Sequence, residues 1–208
     1  ESKDVNQDKI HQSYFIVYDA GTGVIEANAS FRFGGSKGTT LSISEPGSVK
    51  INGKEMSGKT KMLRGYVYET KKLDKTQQLH TFTYQDVNGN KHVNSIGLFP
   101  INELLLPDSI NLKDPGIIKW DGPGVAAMEE VSVEIKDKTG VQVRFETSVN
   151  GSNEIHIKPS RMEQLTPGIA EVQLQRQIKK PLGSATEVGG DIESVFYSKE
   201  YSIKLYEN

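Results

Sequence analysis

Residues 24–33 carry the pattern that decides the fold class of this chain. The stretch reads Val24-Ile25-Glu26-Ala27-Asn28-Ala29-Ser30-Phe31-Arg32-Phe33. Its odd-numbered positions are apolar and most of its even-numbered positions are polar, so an extended strand here turns one face to a core and the other to water. A second strand is predicted over residues 13–18, and the intervening residues 19–23 (Asp-Ala-Gly-Thr-Gly) are typical of a turn. Together these features predict a β-hairpin.

The composition of the whole chain favours the same kind of structure. Its 208 residues include 17 Ile and 16 Val but only 13 Leu and 7 Ala, and β-branched side chains suit pleated surfaces better than helices. Short alternating segments separated by Gly, Pro, Asn and Asp recur along the sequence, as is typical of β-sandwiches. We therefore predict an all-β fold.

The strand pattern falls into two series, which predict two domains. The first series ends near residues 106–108 (Leu-Pro-Asp), and a new series starts at Ser109. Besides the hairpin, the first series comprises residues 39–44, 48–51, 66–69, 79–85 and 91–96, and the second comprises 110–112, 117–120, 131–136, 142–147, 154–158, 170–177, 192–197 and 201–206. Residues 159–168 predict one helical turn that crosses between sheets. The predicted organisation is a flexible N-terminal segment at 1–11, then β-sandwich domains at 12–107 and 108–208.

Two segments of the second series resemble a known architecture. They are Ile117-Ile118-Lys119-Trp120, an early strand with a Trp suited to a core, and residues 165–172 (Leu-Thr-Pro-Gly-Ile-Ala-Glu-Val), a crossover into a long strand. With the strand spacing, they make the chain similar to tandem immunoglobulin-like or fibronectin type III-like modules of bacterial cell-envelope proteins, which are often exported as lipoproteins. The resemblance implies two consecutive immunoglobulin-like antiparallel β-sandwich domains that act as spacers or binding surfaces. Because the chain has no Cys, it lacks the disulfide of antibody domains, and the likeness is to non-immune members.

Charge and hydropathy exclude several function classes. The chain has 25 Lys+Arg against 27 Asp+Glu, a net charge of -2 that gives no electrostatic footprint for nucleic acid. It has no run of about 18 apolar residues to span a membrane, and without Cys it has no thiolate metal site or Cys nucleophile. The chain begins at Glu1, which we interpret as a processed product, and the polar residues 1–11 would suit a tether left after export. We therefore expect an extracytoplasmic location in the cell envelope, the periplasm or on the surface, with any lipid tether lying outside the observed chain.

Two glycine-rich segments match functional patterns. Residues 53–60 (Gly-Lys-Glu-Met-Ser-Gly-Lys-Thr) fit the phosphate-binding pattern G-x-x-x-x-G-K-[ST], and residues 34–38 (Gly-Gly-Ser-Lys-Gly) fit the nucleophile elbow G-x-S-x-G. Both patterns require a helix after the turn, whereas residues 66–68 and 39–44 favour strands. We interpret both segments as loops between strands.

The histidines are candidates for a metal site or a general base: His11, His80, His92 and His156. A two-residue hairpin turn at Asn88-Gly89 would pair Gln85 with His92, which places His80 and His92 on opposite faces. In that register the two side chains cannot bind one ion.

The remaining motifs have plain structural interpretations. Residues 86–90 and 19–23 resemble the start of calcium loops, but Lys91 and Gly97 stand where an EF-hand has Gly and Glu, so we predict ordinary turns. We predict that Trp120 is a core residue rather than a sugar-stacking platform. The basic clusters lack the interleaved aromatics of a nucleic-acid platform, and we interpret them as solvated loops: residues 59–64, 71–75 and 176–180.

The sequence therefore nominates no catalytic, cofactor-binding or metal-binding residue and no cofactor. We predict a non-catalytic cell-envelope or secreted protein that acts as a binding or spacer module for an unknown protein or glycan ligand. The alternative is a hydrolase or glycan-active enzyme whose site lies on inter-strand loops or in an inter-domain cleft. A third reading, nucleotide binding, would require substantial helix.

Overall fold

The strand predicted over residues 24–33 is present with the same bounds. In a computed structural model, which describes residues 1–71 and 73–207, it forms strand β2 (Val24–Phe33) beside strand β1 (Ile10–Asp19). The odd-numbered side chains from Ile25 to Phe31 are at most 1% exposed, as the alternation predicts. The polar positions between them face away from the core.

The described residues are organised almost entirely as β-strands, which confirms the all-β prediction. After β1 and β2 the strands are β3 (Ser48–Ile51), β4 (Lys54–Glu55), β5 (Ser57–Lys61), β6 (Gly65–Lys71), β7 (Leu79–Gln85), β8 (Lys91–Gly97), β9 (Glu103–Leu105), β10 (Ser109–Asn111), β11 (Gly116–Asp121), β12 (Glu129–Lys136), β13 (Gln142–Thr147), β14 (Glu154–Ile157), β15 (Gly168–Pro181), β16 (Gly190–Tyr197) and β17 (Tyr201–Tyr206). The helical content of this part of the chain is one four-residue helix, α1 (Pro159–Met162), and two 3-10 turns, Ser2–Asp4 and Gln7–Lys9. Within residues 1–71 and 73–207, no helix has the length and apolar character needed to cross a bilayer.

The strands belong to two compact units that are not consecutive stretches of chain. Unit 1 comprises Glu1–Tyr18, Val24–Leu98 and Ile178–Ser194, and unit 2 comprises Asp19–Gly23, Phe99–Gln177 and Val195–Asn208. These extents differ from the predicted domains at 12–107 and 108–208, because the long strand β15 and strand β16 each contribute residues to both units. After unit 2 begins, the chain returns to unit 1 over residues 178–194, and the pattern of residues within single strands does not predict this return.

Unit 1 contains two sheets that face each other across an aromatic core. One sheet has the order β16, β1, β2, β6, β5, and the other has the order β4, β3, β7, β8. The rings of Tyr14 on β1 and Phe82 on β7 stack with centroids 4.8 Å apart, and those of Phe31 on β2 and Tyr84 on β7 lie 4.6 Å apart. These contacts between sheets hold the arrangement together as a sandwich.

Unit 2 has a larger sheet with β10, β17, β15, β12 and β13 as successive neighbours, and a smaller antiparallel sheet with the order β14, β11, β9. The pairing of Ser109–Asn111 with Lys204–Tyr206 is parallel, whereas β12 with β13 and β15 with β17 are antiparallel. Helix α1 joins β14 of the smaller sheet to β15 of the larger one. This confirms the helical crossover predicted within residues 159–168.

The N-terminal segment is packed, although the sequence predicts a flexible tether over residues 1–11. Ser2 and Ile10 are fully buried, and the Ser2 amide donates a 2.8 Å hydrogen bond to the Ser42 carbonyl. The Ser2 hydroxyl in turn accepts a 2.8 Å hydrogen bond from the Ser44 amide. The small side chain of Ser2 fits into the fold of unit 1, which a count of polar residues does not reveal.

The hairpin between β7 and β8 has a different register from the predicted one. Tyr84 pairs with His92 and Gln85 with Lys91, one residue away from the predicted pairing of Gln85 with His92. The Asp86 carboxylate accepts hydrogen bonds from the amides of Asn88 (2.9 Å) and Asn90 (2.8 Å), which stabilises a three-residue loop with Gly89 at φ +87°. A two-residue turn would lose these bonds, so the predicted register is wrong.

Candidate functional site

The outer face of the β1–β2–β6 sheet in unit 1 carries a shallow cleft of about 190 Å³. It is lined by Ser13, Phe15, Asn28, Ala29, Ser30, Arg32, Arg64 and Val67. Most of these residues are the outward-facing positions of β1 and β2, whose neighbours Tyr14 and Phe31 face the core. The same alternation that builds the core therefore places an aromatic ring, hydroxyls, an amide and guanidinium groups together on the surface.

Two arginines make the cleft electropositive. Arg32 Nη1 donates a 2.9 Å hydrogen bond to the Gly38 carbonyl, which holds the guanidinium against the loop after β2. Gly38 is required there, because a Cβ at this position would lie 1.7 Å from the Phe33 carbonyl oxygen. Arg64 is exposed in the turn between β5 and β6. Among residues 1–71 and 73–207, neither arginine forms a salt bridge with a carboxylate.

The neighbouring carboxylate is already compensated by other cations. Glu69, which pairs with Asn28 across the β2–β6 ladder, forms salt bridges with both Lys59 and Lys61. Burial raises the pKa of Glu69, but the two lysines outweigh this effect and keep the pKa below its ordinary value. Glu69 therefore stays ionised and bound to the lysines, and the arginine charges remain available to a ligand.

Residues 34–38 form a loop after β2, as predicted, whereas residues 53–60 lie mostly in strands β4 and β5 rather than in the predicted loop. Asn52 and Gly53 form the turn between β3 and β4 with positive φ values of 49° and 78°, and the residues that follow enter β4 and β5 rather than a helix. The Gly34–Gly38 segment closes a hairpin in which Arg32 is bridged to Thr40. Neither segment has the helix that a P-loop or a nucleophile elbow requires.

The observed register of the β7–β8 hairpin places His92 on a different face from the predicted one. His92 lies opposite Tyr84 and stacks on its ring with centroids 5.7 Å apart, so it shares the inner face with His80 instead of lying on the opposite face. Phe82 and Asn94 occupy that face between them. Burial lowers the pKa of both imidazoles below the ordinary value, so they are neutral near pH 7. In the described part of the chain, no three His, Asp or Glu side chains are grouped closely enough to hold a metal ion.

The loops that resemble calcium sites are turns in which an aspartate binds backbone amides. Asp19 Oδ1 accepts hydrogen bonds from the amides of Gly21 (2.8 Å) and Thr22 (3.2 Å), and Asp86 binds its own loop in the same way. A third loop, which the sequence analysis did not single out, has the same arrangement: Asp137 Oδ1 accepts from the amides of Thr139 (2.8 Å) and Val141 (3.0 Å). This confirms the prediction of plain turns at 19–23 and 86–90.

Trp120 is a core residue of unit 2, as predicted, and it lies beside a buried ion pair. The side chain is 2% exposed, and its Nε1 donates a 2.9 Å hydrogen bond to the Pro123 carbonyl. The Arg176 guanidinium carbon is 5.9 Å from the Trp120 ring centroid. Arg176 Nε and Nη2 donate hydrogen bonds of 2.8 Å each to the two carboxylate oxygens of Glu129, and both side chains are 1% exposed. The interpretation of residues 176–180 as a solvated basic loop is wrong, since these residues lie within strand β15 and Arg176 is buried.

Unit 2 also has a small groove of about 70 Å³ on the outer face of its larger sheet. It is lined by Ser132, Glu134, Arg144, Gln173, Gln175 and Tyr197. Its cation is already paired, because Arg144 Nη2 lies 2.7 Å from Glu130 Oε1. The groove in unit 2 therefore offers less charge to a ligand than the cleft in unit 1.

Of the residues that line the unit 1 cleft, Arg64 belongs to the basic cluster at 59–64, which the sequence predicts to be a solvated loop, and the others belong to no predicted site. The available signal was the polar face of residues 24–33, where Asn28, Ser30 and Arg32 alternate with buried residues. Arg64 could not have been added from the sequence, since it comes from the turn of a different hairpin.

Comparison with known proteins yields no family. No protein-family model matches the chain, and no curated protein matches it. One similar solved structure is a tetra-tandem repeat in the extending region of a large adhesion protein, with 12% identity over 94% of this chain and a TM-score of 0.30. Another is a Bacteroides ovatus surface protein, SGBP-B of a mixed-linkage glucan utilization locus, in complex with a heptasaccharide, with 12% identity over 98% of this chain and a TM-score of 0.28. The chain spans 49% and 44% of the lengths of those two chains, and at these TM-scores neither likeness carries an argument about its ligand.

Proposed function

We propose that this protein is a non-catalytic, extracytoplasmic binding module whose unit 1 cleft binds an acidic saccharide. The observation that carries the proposal is the pair Arg32 and Arg64, which line one cleft and form no salt bridge with a described carboxylate. Guanidinium groups bind carboxylates and similar anions through paired, charge-assisted hydrogen bonds. The extracytoplasmic location belongs to the proposal through the resemblance to tandem modules of cell-envelope proteins.

The other side chains of the cleft suit a sugar ring. Phe15 offers an aromatic face for the apolar side of a pyranose, and Asn28, Ser13 and Ser30 offer donors and acceptors for hydroxyl groups. A volume of about 190 Å³ is below the roughly 300–1,000 Å³ of pockets that enclose a drug-sized ligand. An open cleft of this size would hold one residue of a longer glycan whose other residues extend into solvent.

The cleft favours binding over catalysis. Glycoside hydrolysis requires two carboxyl groups on either side of the scissile bond, and the side chains that line this cleft include neither a carboxylate nor an imidazole. The predicted alternative, a hydrolase or glycan-active enzyme, would have to use inter-strand loops elsewhere.

The test is isothermal titration calorimetry of the full chain with oligogalacturonate and with the same oligomer after its carboxyl groups are reduced to alcohols. We expect binding of the acidic oligomer and a weakening of at least about tenfold for Arg32→Gln/Arg64→Gln, since a hydrogen bond to a charged group contributes about 1.5–3 kcal/mol. Arg144→Gln is the matched control, because Arg144 is already paired with Glu130 on the other unit.

Three results would contradict the proposal. Equal affinity for the reduced oligomer would show that the arginines do not select an anion. Equal weakening by Arg144→Gln would show a general charge effect rather than a site. Release of new reducing ends from the oligomer during incubation would show a hydrolase.

A further inference from the structure

The hairpin of β5 and β6 ends in two apolar side chains that are almost completely exposed. Met62 and Leu63 are 99% and 96% exposed, whereas the next most exposed large apolar side chain among the described residues, Met128, is 74% exposed. Burial of two adjacent large apolar side chains against a partner or a membrane would be favourable, because it removes their apolar surface from water. They mark the tip as an interaction surface.

The strand residues next to the tip are held against Thr40, which fixes the position of the turn. The Tyr66 amide donates a 2.9 Å hydrogen bond to Thr40 Oγ1, outside the hairpin. Gly65 has φ +72°, and a Cβ there would lie 2.3 Å from the same Thr40 oxygen. The Arg64 amide closes the turn with a 3.3 Å bond to the Lys61 carbonyl.

The hairpin is basic, although the whole chain is slightly acidic. Residues 57–71 contain four basic residues (Lys59, Lys61, Arg64 and Lys71) and one acidic residue (Glu69), a net charge of 4 − 1 = +3, while the whole chain has a net charge of -2. Lys61 and Arg64 directly flank the two apolar side chains. Lys59 and Lys61 share the Glu69 carboxylate, which leaves this group a net charge of 2 − 1 = +1, and Arg64 adds a charge that has no described carboxylate partner. The apolar tip therefore lies beside an excess of positive charge.

We propose that this tip docks on an anionic lipid bilayer, with Met62 and Leu63 inserted at the level of the headgroups and Arg64 at the lipid phosphates. Apolar side chains with flanking Lys or Arg are the composition of interfacial membrane anchors. Two inserted side chains suffice for such an anchor, whereas a stable protein interface takes about 20–30 residues from each partner. This contact would hold the protein at a membrane surface. It shares Arg64 with the cleft, but Met62 and Leu63 do not line the cleft, so a change at these two residues tests membrane binding separately from the ligand of the cleft.

The experiment is cosedimentation of the full chain with large unilamellar vesicles of phosphatidylglycerol and phosphatidylcholine in equal amounts, compared with vesicles of phosphatidylcholine alone. We expect binding to the anionic vesicles only, a decrease with added salt, and a decrease of at least about tenfold for Met62→Ser/Leu63→Ser. Arg64→Gln should weaken binding about fivefold, the effect of one basic residue near an anionic surface. Val149→Ser is the matched control, since Val149 is an exposed apolar residue of unit 2 outside any strand.

A second measurement reports the position of the tip directly. The chain has no Cys, so Leu63→Cys and Val149→Cys can each be labelled at a single site with an environment-sensitive fluorophore. We expect a blue shift and quenching by brominated lipid for the label at position 63 and neither for the label at position 149.

Several outcomes would overturn the proposal. They are no sedimentation with anionic vesicles, unchanged sedimentation of the Met62→Ser/Leu63→Ser variant, and a label at position 63 that stays in water when vesicles are bound. A blue shift that depends on protein concentration without vesicles would instead assign the tip to a contact between copies of this chain.

Discussion

Removal of Glu129 should destabilise the protein more than removal of any surface carboxylate. Arg176 is 2% exposed, and Glu129→Ala would take away the only carboxylate partner that it has among the described residues, leaving a buried guanidinium bonded to the carbonyls of Pro123 (2.7 Å) and Gly124 (2.9 Å). The variant would also leave the Ala126 amide without the carboxylate oxygen that accepts its 2.7 Å hydrogen bond. The loss of one partner of a buried ion pair costs about 3–5 kcal/mol. For a chain of this size that corresponds to a fall in Tm of about 6–20 °C.

The assay is urea unfolding followed by the fluorescence of Trp120, the single tryptophan, whose ring lies next to Arg176. Glu130→Ala is the matched control, because Glu130 is the next residue and pairs with Arg144 while about half exposed, so its removal should cost less than about 1 kcal/mol. The double variant Glu129→Leu/Arg176→Leu should be more stable than Glu129→Ala, since it removes both charges from the core.

Two results would refute this reasoning. If Glu129→Ala were no less stable than Glu130→Ala, the buried pair of Glu129 and Arg176 would contribute no more to the stability of unit 2 than the exposed pair of Glu130 and Arg144. If the double variant were less stable than Glu129→Ala, the loss would come from packing and carbonyl bonding rather than from the uncompensated charge.

The loops give two further predictions. Burial raises the pKa of Asp137, but hydrogen bonds from the Thr139 hydroxyl and from the amides of Thr166, Thr139 and Val141 outweigh it and hold the pKa well below its ordinary value. The stabilisation is therefore complete above the unfolded pKa of about 3.9 and is lost as the pH falls toward the lower folded pKa. Asp137→Asn should therefore lower the urea midpoint at pH 7 and less at pH 3, and an equal loss at both pH values would contradict this account. Gly89→Ala should cost about 1–2 kcal/mol because Gly89 has φ +87° with open space around it, whereas Gly183→Ala, at an equally open site without positive φ, should be neutral or slightly stabilising in the same assay.

The elements that the sequence predicts best are those in which one strand face is buried. Residues 24–33 form a strand with the predicted bounds because the alternation of apolar and polar residues fixes which face is inside. The helical crossover is also predicted, since Pro159 begins it and the flanking segments alternate as strands. Both predictions use information that lies within ten or so residues of the chain.

The register of the β7–β8 hairpin shows where local patterns become insufficient. The Asn88-Gly89 dipeptide favours a two-residue turn, but the Asp86 carboxylate accepts two loop amides and so favours a longer loop with Gly89 in the left-handed region. The difference is one residue, yet it moves His92 to the opposite face of the sheet. The hydrogen bonds from backbone amides to the Asp86 carboxylate therefore fix the length of the loop, which strand propensity does not predict.

The arginines show why the candidate site could not be found from charge alone. Arg176 is the most completely compensated cation of the described chain, bonded to both oxygens of Glu129, whereas Arg32 and Arg64 face a cleft without an acidic partner. In the sequence these three residues carry the same charge, and the cluster at 176–180 even has the higher local density of basic residues. An arginine that is paired with a carboxylate of the protein stabilises the fold, whereas an arginine without such a partner is available to bind a ligand. Glu129 lies 47 positions before Arg176 in the chain, so the pairing of the two residues depends on tertiary structure. An arginine that has no carboxylate partner in the fold can instead form an ion pair with an acidic ligand.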